Sequence, residues 1–506
     1  MFKSHPKGLL AAALANMGER FGFYTMMAIL VLFLQAKFGL NGTNAGIIYS
    51  IFYFSIYILA FVGGLIADKT KNFKGTILVG LALMAVGYLI IGIPSGTPVP
   101  ENKFVFFLTM TCMGLFVIAF GNGLFKGNLQ ALVGQMYDDP KYSKLRDAGF
   151  QWFYMFINVG AIFAPLAAVG VRNWWVESHG FAYNSVLPEL CHSHLKGNEV
   201  ANLPQLAAEA GFTGTDMTTF ANEYLNVFAT GFHYAFFVAI FAMVISLTIY
   251  LVNKNKFPNP ADKIKNAQNS NITEMDIKEV KQRLYALFAV FGVVIFFWFS
   301  FHQNGLTLTY FAKDYTDLSK ININLGFTTL KGAELFQSIN PFFVVFLTPV
   351  IMALFGWLRA KGKEPSTPKK IAIGMLIAAL GYVLMSFGSF GLPNKDEITA
   401  MGGLPDVQRV TPMLLLGTYF ILTVAELFIS PLGISFVSKV APPKYQGMMQ
   451  GLWLCATAVG NQLLFIGAIF YDSIPIWATW TIFVVACLIS MFTMLFMLKW
   501  LERVAK

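Results

Sequence analysis

The sequence predicts an all-α membrane protein with twelve transmembrane helices, and three observations carry that prediction. Of its 506 residues 56% are hydrophobic and only 12% charged, which is too apolar for a soluble chain of this length. Apolar stretches of about 18 residues or more recur from end to end, separated by charged or Pro/Gly-rich breaks. Lysine and arginine gather in alternate breaks, as they do in polytopic membrane proteins.

The spans fall near residues 8–36, 44–67, 75–94, 104–134, 148–170, 230–252, 284–311, 336–358, 370–391, 412–438, 446–471 and 475–499. An even number places both termini on one side. The N-terminal segment and the even-to-odd loops hold 25 of the 36 basic residues, including Lys69, Lys71 and Lys74, seven from Lys254 to Arg283 and five from Arg359 to Lys370. By the positive-inside rule these loops and both termini are cytoplasmic. Residues 254–283 carry Pro258, Pro260 and then a helical run from Thr273. They read as a cytoplasmic linker between two six-helix bundles, 1–253 and 284–506. Residues 171–229 form a long outside insertion with Trp174, Trp175 and an Ala-rich middle of helical character. The first span has no small-residue cleavage motif and carries two charges, so it is expected to stay as a mature helix.

The net charge of +10 lies in loops between spans and not on a basic face, so it records topology and no nucleic acid is expected as a partner. Cys112, Cys455 and Cys487 fall in apolar spans and Cys191 stands alone in the insertion, which gives no disulfide framework. Cys191-His192-Ser193-His194 has no second cluster with which to form a metal site. The chain shows no nucleophile–base pair, metal set or phosphate loop, so neither an enzyme nor a bound cofactor is expected.

The chemistry sits in charges placed at membrane depth. From Gly8 to Phe38 the only ionisable residues before Lys37 are Glu19 and Arg20. Charges at mid-depth are costly and should face a partner or a watery cavity, although an ion pair that merely joins two helices is the plainer alternative. Lys126 in span 4, His302 in span 7 and Glu426 in span 10 complete the set. Arg20 and Lys126 are cations of the first half, Glu426 an anion of the second. A ligand with one carboxylate and one ammonium would satisfy both sides. Lys126 and Glu426 could instead pair with each other.

Two six-helix bundles joined by a basic linker resemble a major facilitator superfamily transporter, with its substrate site near mid-membrane between the halves. Gly63-Gly64-Leu65-Ile66-Ala67-Asp68-Lys69 resembles that superfamily's loop motif, with Lys71 and Lys74 where arginines are more usual. Finer motifs resemble the proton-dependent oligopeptide transporter family. Arg146 to Gly160 (RDAGFQWFYMFINVG) fits its span 5 signature, and Gly121 to Asn128 (GNGLFKGN) its span 4 motif, with Gly127 where proline is usual. Further matches are Phe336 to Pro341, Pro365 to Pro368, Glu426 to Pro431 and Met449 to Trp453.

The resemblance implies import of di- and tripeptides, driven by protons and achieved by alternating rocking of the halves. Carried over position by position, it implies that Arg20 and Lys126 hold the peptide's carboxylate, and that Glu426 with Asn158 and Asn340 holds its amino end. Tyr24, Tyr57, Trp298 and Trp453 would line side-chain pockets, where aromatic area tolerates many side chains. It leaves two alternatives within the fold: a small anion such as nitrate as cargo, or a facilitator without proton coupling.

Departures from the family pattern mark the mechanism. The family's first-helix motif E-x-x-E-R-F-x-Y-Y reads here Asn16-x-x-Glu19-Arg20-Phe21-x-Phe23-Tyr24, and Met27 stands where an arginine is common. In span 7 the acid of F-W-x-x-F-E-Q becomes His302. Positions 16, 20, 23 and 27 share one helix stripe. If that stripe faces span 7, Met27 avoids setting a guanidinium against a protonated His302. Glu19 is then the expected proton-coupling carboxylate, with His302 modulating or sharing that role, or remaining neutral throughout.

Overall fold

The computed structural model describes residues 4–70, 72–137, 139–142, 145–258, 277–442 and 446–504. Among them are twelve helices long and apolar enough to cross a membrane: Leu9–Phe38, Gly42–Ala67, Phe73–Gly92, Glu101–Met136, Trp152–Ser178, Met217–Val252, Ile277–Asp314, Ala333–Ala360, Thr367–Gly388, Pro412–Gly433, Gly451–Ser473 and Ile476–Val504, here spans 1 to 12. The chain is thus a multi-pass membrane protein. Spans 1 to 6 pack on one another as one bundle and spans 7 to 12 as a second, and the two meet chiefly through spans 2 and 11 and spans 5 and 8. Most of the expected linker, including Thr273, lies outside the described residues, as does Lys71; the helix of span 7 is described from Ile277.

Lipid tails give apolar helices no reason to prefer one another, so association rests on close backbone approach at small residues. Spans 2 and 4 cross where a Cβ on Gly63 would lie 2.1 Å from the Gly123 carbonyl oxygen, and one on Gly80 of span 3 would lie 2.6 Å from that of Gly121. Span 1 is held between spans 5 and 6 and is the most enclosed helix, so its charges point into protein and away from lipid.

Three features correct the sequence reading. The insertion is shorter than 171–229, because the helix of span 5 runs on to Ser178 and that of span 6 begins at Met217. Counting apolar residues stops at Arg172, yet Arg172 and Asn173 are fully buried by pairing. At the other boundary Asp216 caps the helix, accepting from the Thr218 amide at 3.0 Å and the Thr219 hydroxyl at 2.6 Å. The remaining insertion holds two short helices, Leu187–Leu195 and Leu203–Glu209. Span 7 is not continuous either: its α-helix ends at Phe301, a 3-10 turn runs His302–Gly305, and helix resumes over Thr307–Asp314. The Asn304 carbonyl freed by the break accepts from the Gln337 amide at 3.0 Å and the Tyr419 hydroxyl at 2.8 Å. Span 11 likewise divides into Gln446–Gln462 and Leu464–Ser473.

Among the described residues, polar ties between the halves concentrate at the end that carries the insertion. Arg172 of span 5 forms a fully buried ion pair with Glu334, just before the main helix of span 8. Beside it the Asn173 amide donates to the carbonyls of Thr329 at 2.6 Å and Lys331 at 2.9 Å. The Thr43 hydroxyl donates to Asp472 at 2.8 Å, and that of Tyr310 to the Gly42 carbonyl at 2.9 Å. From the insertion, the Glu189 carboxylate receives the ammonium groups of Lys313 at 3.1 Å and Lys395 at 2.9 Å. Burial opposes the charge on Glu189, but the two ammonium groups outweigh it and hold the carboxyl well below the usual carboxylate range.

Arg172→Met would strand the Glu334 carboxylate without its counter-ion, at a cost of about 3–5 kcal/mol, and adding Glu334→Gln should recover most of it. Thermal denaturation of both variants in detergent measures this. A carboxyl held below its unfolded value stabilises above that value and loses the effect only as pH falls through the folded one. The difference in melting temperature between wild type and Glu189→Gln is therefore expected to stay constant from about pH 7.5 to about pH 5.

Candidate functional site

In span 1, Glu19 and Arg20 engage each other. The Arg20 guanidinium donates from Nε to Glu19 Oε2 at 2.5 Å and from Nη2 to Oε1 at 2.7 Å, a two-pronged pair that is almost wholly enclosed. Asn122 of span 4 donates to the same Glu19 Oε1 at 2.7 Å. The guanidinium also lies 4.7 Å from the centre of the Phe23 ring, which supplies a face but no hydroxyl. Asn16, one turn earlier, is buried, and its amide nitrogen meets no partner among the described residues.

Lys126 stands differently. Among the described residues it makes no ion pair or hydrogen bond, and its ammonium rests 4.6 Å from the centre of the Tyr57 ring of span 2. A Cβ on its neighbour Gly127 would meet nothing within 4 Å, so the helix is open to free space at that point. Glu426 of span 10 accepts from the Asn340 amide of span 8 at 2.9 Å, and that amide also donates to the Thr423 hydroxyl at 3.0 Å. Tyr24, Tyr57 and Tyr154 of the first half lie close enough to feel the Glu426 charge. Asn158 donates to the Tyr154 carbonyl one turn back at 3.1 Å. One side of the interface thus presents a cation without an acid, the other a carboxylate held only by neutral groups. No ion pair joins Lys126 to Glu426 among the described residues.

The aromatic residues divide into two kinds. Tyr24 and Tyr57 are partly exposed, whereas Trp298 and Trp453 are buried within the second half. The Trp453 ring occupies the place where a Cβ on Gly433 would fall, and its edge meets Phe291 at 6.1 Å.

His302 sits in the break of span 7, stacked on Trp298 at 4.9 Å and tilted against Tyr53 of span 2 at 4.7 Å. Its Nδ1 is 2.5 Å from Asn461 Oδ1, beside the break of span 11. It therefore meets the first half through the ring of Tyr53, and its described polar partner is an amide. Sequence reasoning did not single out Asn122, Tyr53 or Asn461 for a role. Asn122 lay within a quoted motif and was the most accessible of the three. The Cys-His-Ser-His run lies on the short helix Leu187–Leu195, where His192 bonds the Ala36 carbonyl at 2.8 Å and His194 faces Thr218 at 3.3 Å.

Twelve spans in two six-helix bundles are the layout of the major facilitator fold, and the chain's family and relatives make it a transporter and not an enzyme. The chain belongs to the POT family: the model PTR2, described as POT family, matches residues 74–272 and 259–476. It is 30% identical over 484 residues to the peptide transporter YePEPT of Yersinia enterocolitica subsp. palearctica serotype O:3 (strain YE-P4), an alignment covering 91% of this chain and 87% of that one. It is 27% identical to a di-/tripeptide transporter of Lactococcus lactis subsp. cremoris, covering 91% and 89%. The fold matches a crystal structure of a peptide transporter POT in complex with sulfate, with a TM-score of 0.72 at 23% identity over 100% of this chain and 96% of that one.

Proposed function

We propose that this protein imports di- and tripeptides together with protons across the inner (plasma) membrane, by alternating access between halves 1–253 and 284–506 joined by residues 254–283. The observation that carries the reading is the separation of charge across the interface: among the described residues Lys126 has no ion-pair partner in one half, and Glu426 is held only by neutral groups in the other. A zwitterionic peptide supplies both missing counter-charges, and the peptide transporters among its relatives support that class of cargo. A small anion would leave Glu426 facing negative charge, which counts against nitrate. Both termini and the linker lie on the cytoplasmic side, so the ties at the insertion end close the outside.

Glu19 is the proposed proton carrier, and the reason is competition. Its carboxylate holds Arg20 by two short bonds. A peptide carboxylate that draws Arg20 toward Lys126 leaves Glu19 enclosed with only Asn122 beside it. An enclosed carboxylate that has lost its counter-ion is neutralised by taking up a proton. With Asn16 where the family motif has its first glutamate, Glu19 is the one acid between Gly8 and Phe38. His302, stacked and bonded to an amide, modulates the step without carrying the proton.

The proposal makes two predictions. Lys126→Ala and Glu426→Ala each abolish accumulation of Ala-Ala in proteoliposomes, and peptides with an amidated or acylated end compete poorly. Strong competition by blocked peptides, or by nitrate, would overturn the zwitterion site. Wild type accumulates peptide under an inside-alkaline gradient; Glu19→Gln loses accumulation but keeps exchange, and His302→Gln keeps accumulation with an altered pH profile. Equal wild-type uptake with and without the gradient, with no proton flux, would refute proton coupling.

A further inference from the structure

The insertion is joined to the two halves by different kinds of contact. Toward the first half it is apolar: Phe181 and Phe212 pack on Phe220 of span 6 at 6.1 and 5.1 Å, and Leu187, Leu190 and Cys191 are buried. The Tyr224 hydroxyl accepts from the Asn184 amide at 3.0 Å, and His192 bonds the Ala36 carbonyl. Toward the second half the described bonds are polar and few. Glu189 is clasped by Lys313 and Lys395; the Asn202 amide donates to the Gly402 carbonyl at 2.7 Å, and the Ser185 hydroxyl to that of Lys313 at 3.3 Å. A cavity of about 530 Å³ opens along this second seam, between Asn202, Gln205 and Leu206 on one side and residues 402–406 on the other.

We propose that residues 179–216 are an outside latch: a strap carried by the first half that grips the second half through Glu189 and must let go before the insertion end can open. The physical ground is the difference between the seams. Packed apolar side chains part only with loss of all their contacts, whereas ion pairs and hydrogen bonds beside a cavity can be exchanged for bonds to water. The seam that yields is therefore the one to the second half. Lys313 and Asp314 are buried beneath the clasp, and Asp314 in turn receives Lys395 at 3.2 Å and the Tyr471 hydroxyl at 3.0 Å. Release of Glu189 thus loosens a charge network that reaches spans 7 and 11. This inference rests on the alternating-access reading.

Two measurements test it. A Cβ on Gly402 would point straight at the Asn202 side chain, so Asn202→Cys with Gly402→Cys sets two thiols across the yielding seam. Oxidation should cut peptide uptake at least tenfold and a reductant should restore it, while the single-cysteine variants are unaffected by either. Oxidised protein that transports at the reduced rate would overturn the latch. The second arm reads opening directly and needs no transport. Ser338→Cys lies buried at the interface between spans 5 and 8, and its labelling by an impermeant maleimide added from outside should rise severalfold when Glu189→Gln is introduced. Unchanged labelling would likewise overturn the latch. If the wild type took up no peptide, the proposed function would fail while the labelling arm still decided the latch.

Discussion

The buried pair Arg172–Glu334 ties the two bundles together at the end that carries the insertion. Both side chains are removed from water, so each depends on the other, and with Asn173 they bind span 5 to the segment before span 8. On the proposed reading, that tie holds the insertion end closed. Ties at Thr43–Asp472 and Tyr310–Gly42 act at the same end. Ion pairs and hydrogen bonds can be exchanged for bonds to water once an interface opens, which suits contacts that the proposed alternating access would break in every cycle.

The first helix shows how enclosure divides labour between adjacent residues. Glu19 and Arg20 are neighbours in sequence, yet enclosure by spans 5 and 6 obliges them to neutralise one another. Lys126 is spared that obligation because its ammonium lies over a ring and its helix opens at Gly127. Under the proposed function, a ligand anion meets Lys126, which has no ion pair among the described residues, and Arg20, which is already engaged and so would link ligand binding to the state of the Glu19 carboxylate.

Much of this was legible in the sequence. Glu19, Arg20, Lys126, His302 and Glu426 stand out because a charge in an apolar run needs a reason, and the motifs around them give the family. The closing contacts were not legible. Arg172 reads as part of the outside insertion, which starts at Val171, until Glu334, 162 residues away, is seen to bury it. Lys313 and Asp314 fall just past the apolar stretch for the same reason. The break in span 7 was hidden because its freed carbonyl is served by Gln337 and Tyr419, which belong to spans 8 and 10. Local pattern reveals where a charge is anomalous; only the tertiary partner reveals where it is satisfied.

The two seams between the bundles differ in extent. Spans 2 and 11 approach from Gly46 against Ala468 down to Phe61 against Gly451, nearly their full length. Spans 5 and 8 are tied by Ser338 to the Ile162 carbonyl, in the part nearer the insertion, while Tyr154, two turns further along span 5, is 52% exposed. If the proposed peptide is held between the bundles by its two ends, this difference between the seams makes tolerance for a bulky side chain depend on which position of the peptide carries it.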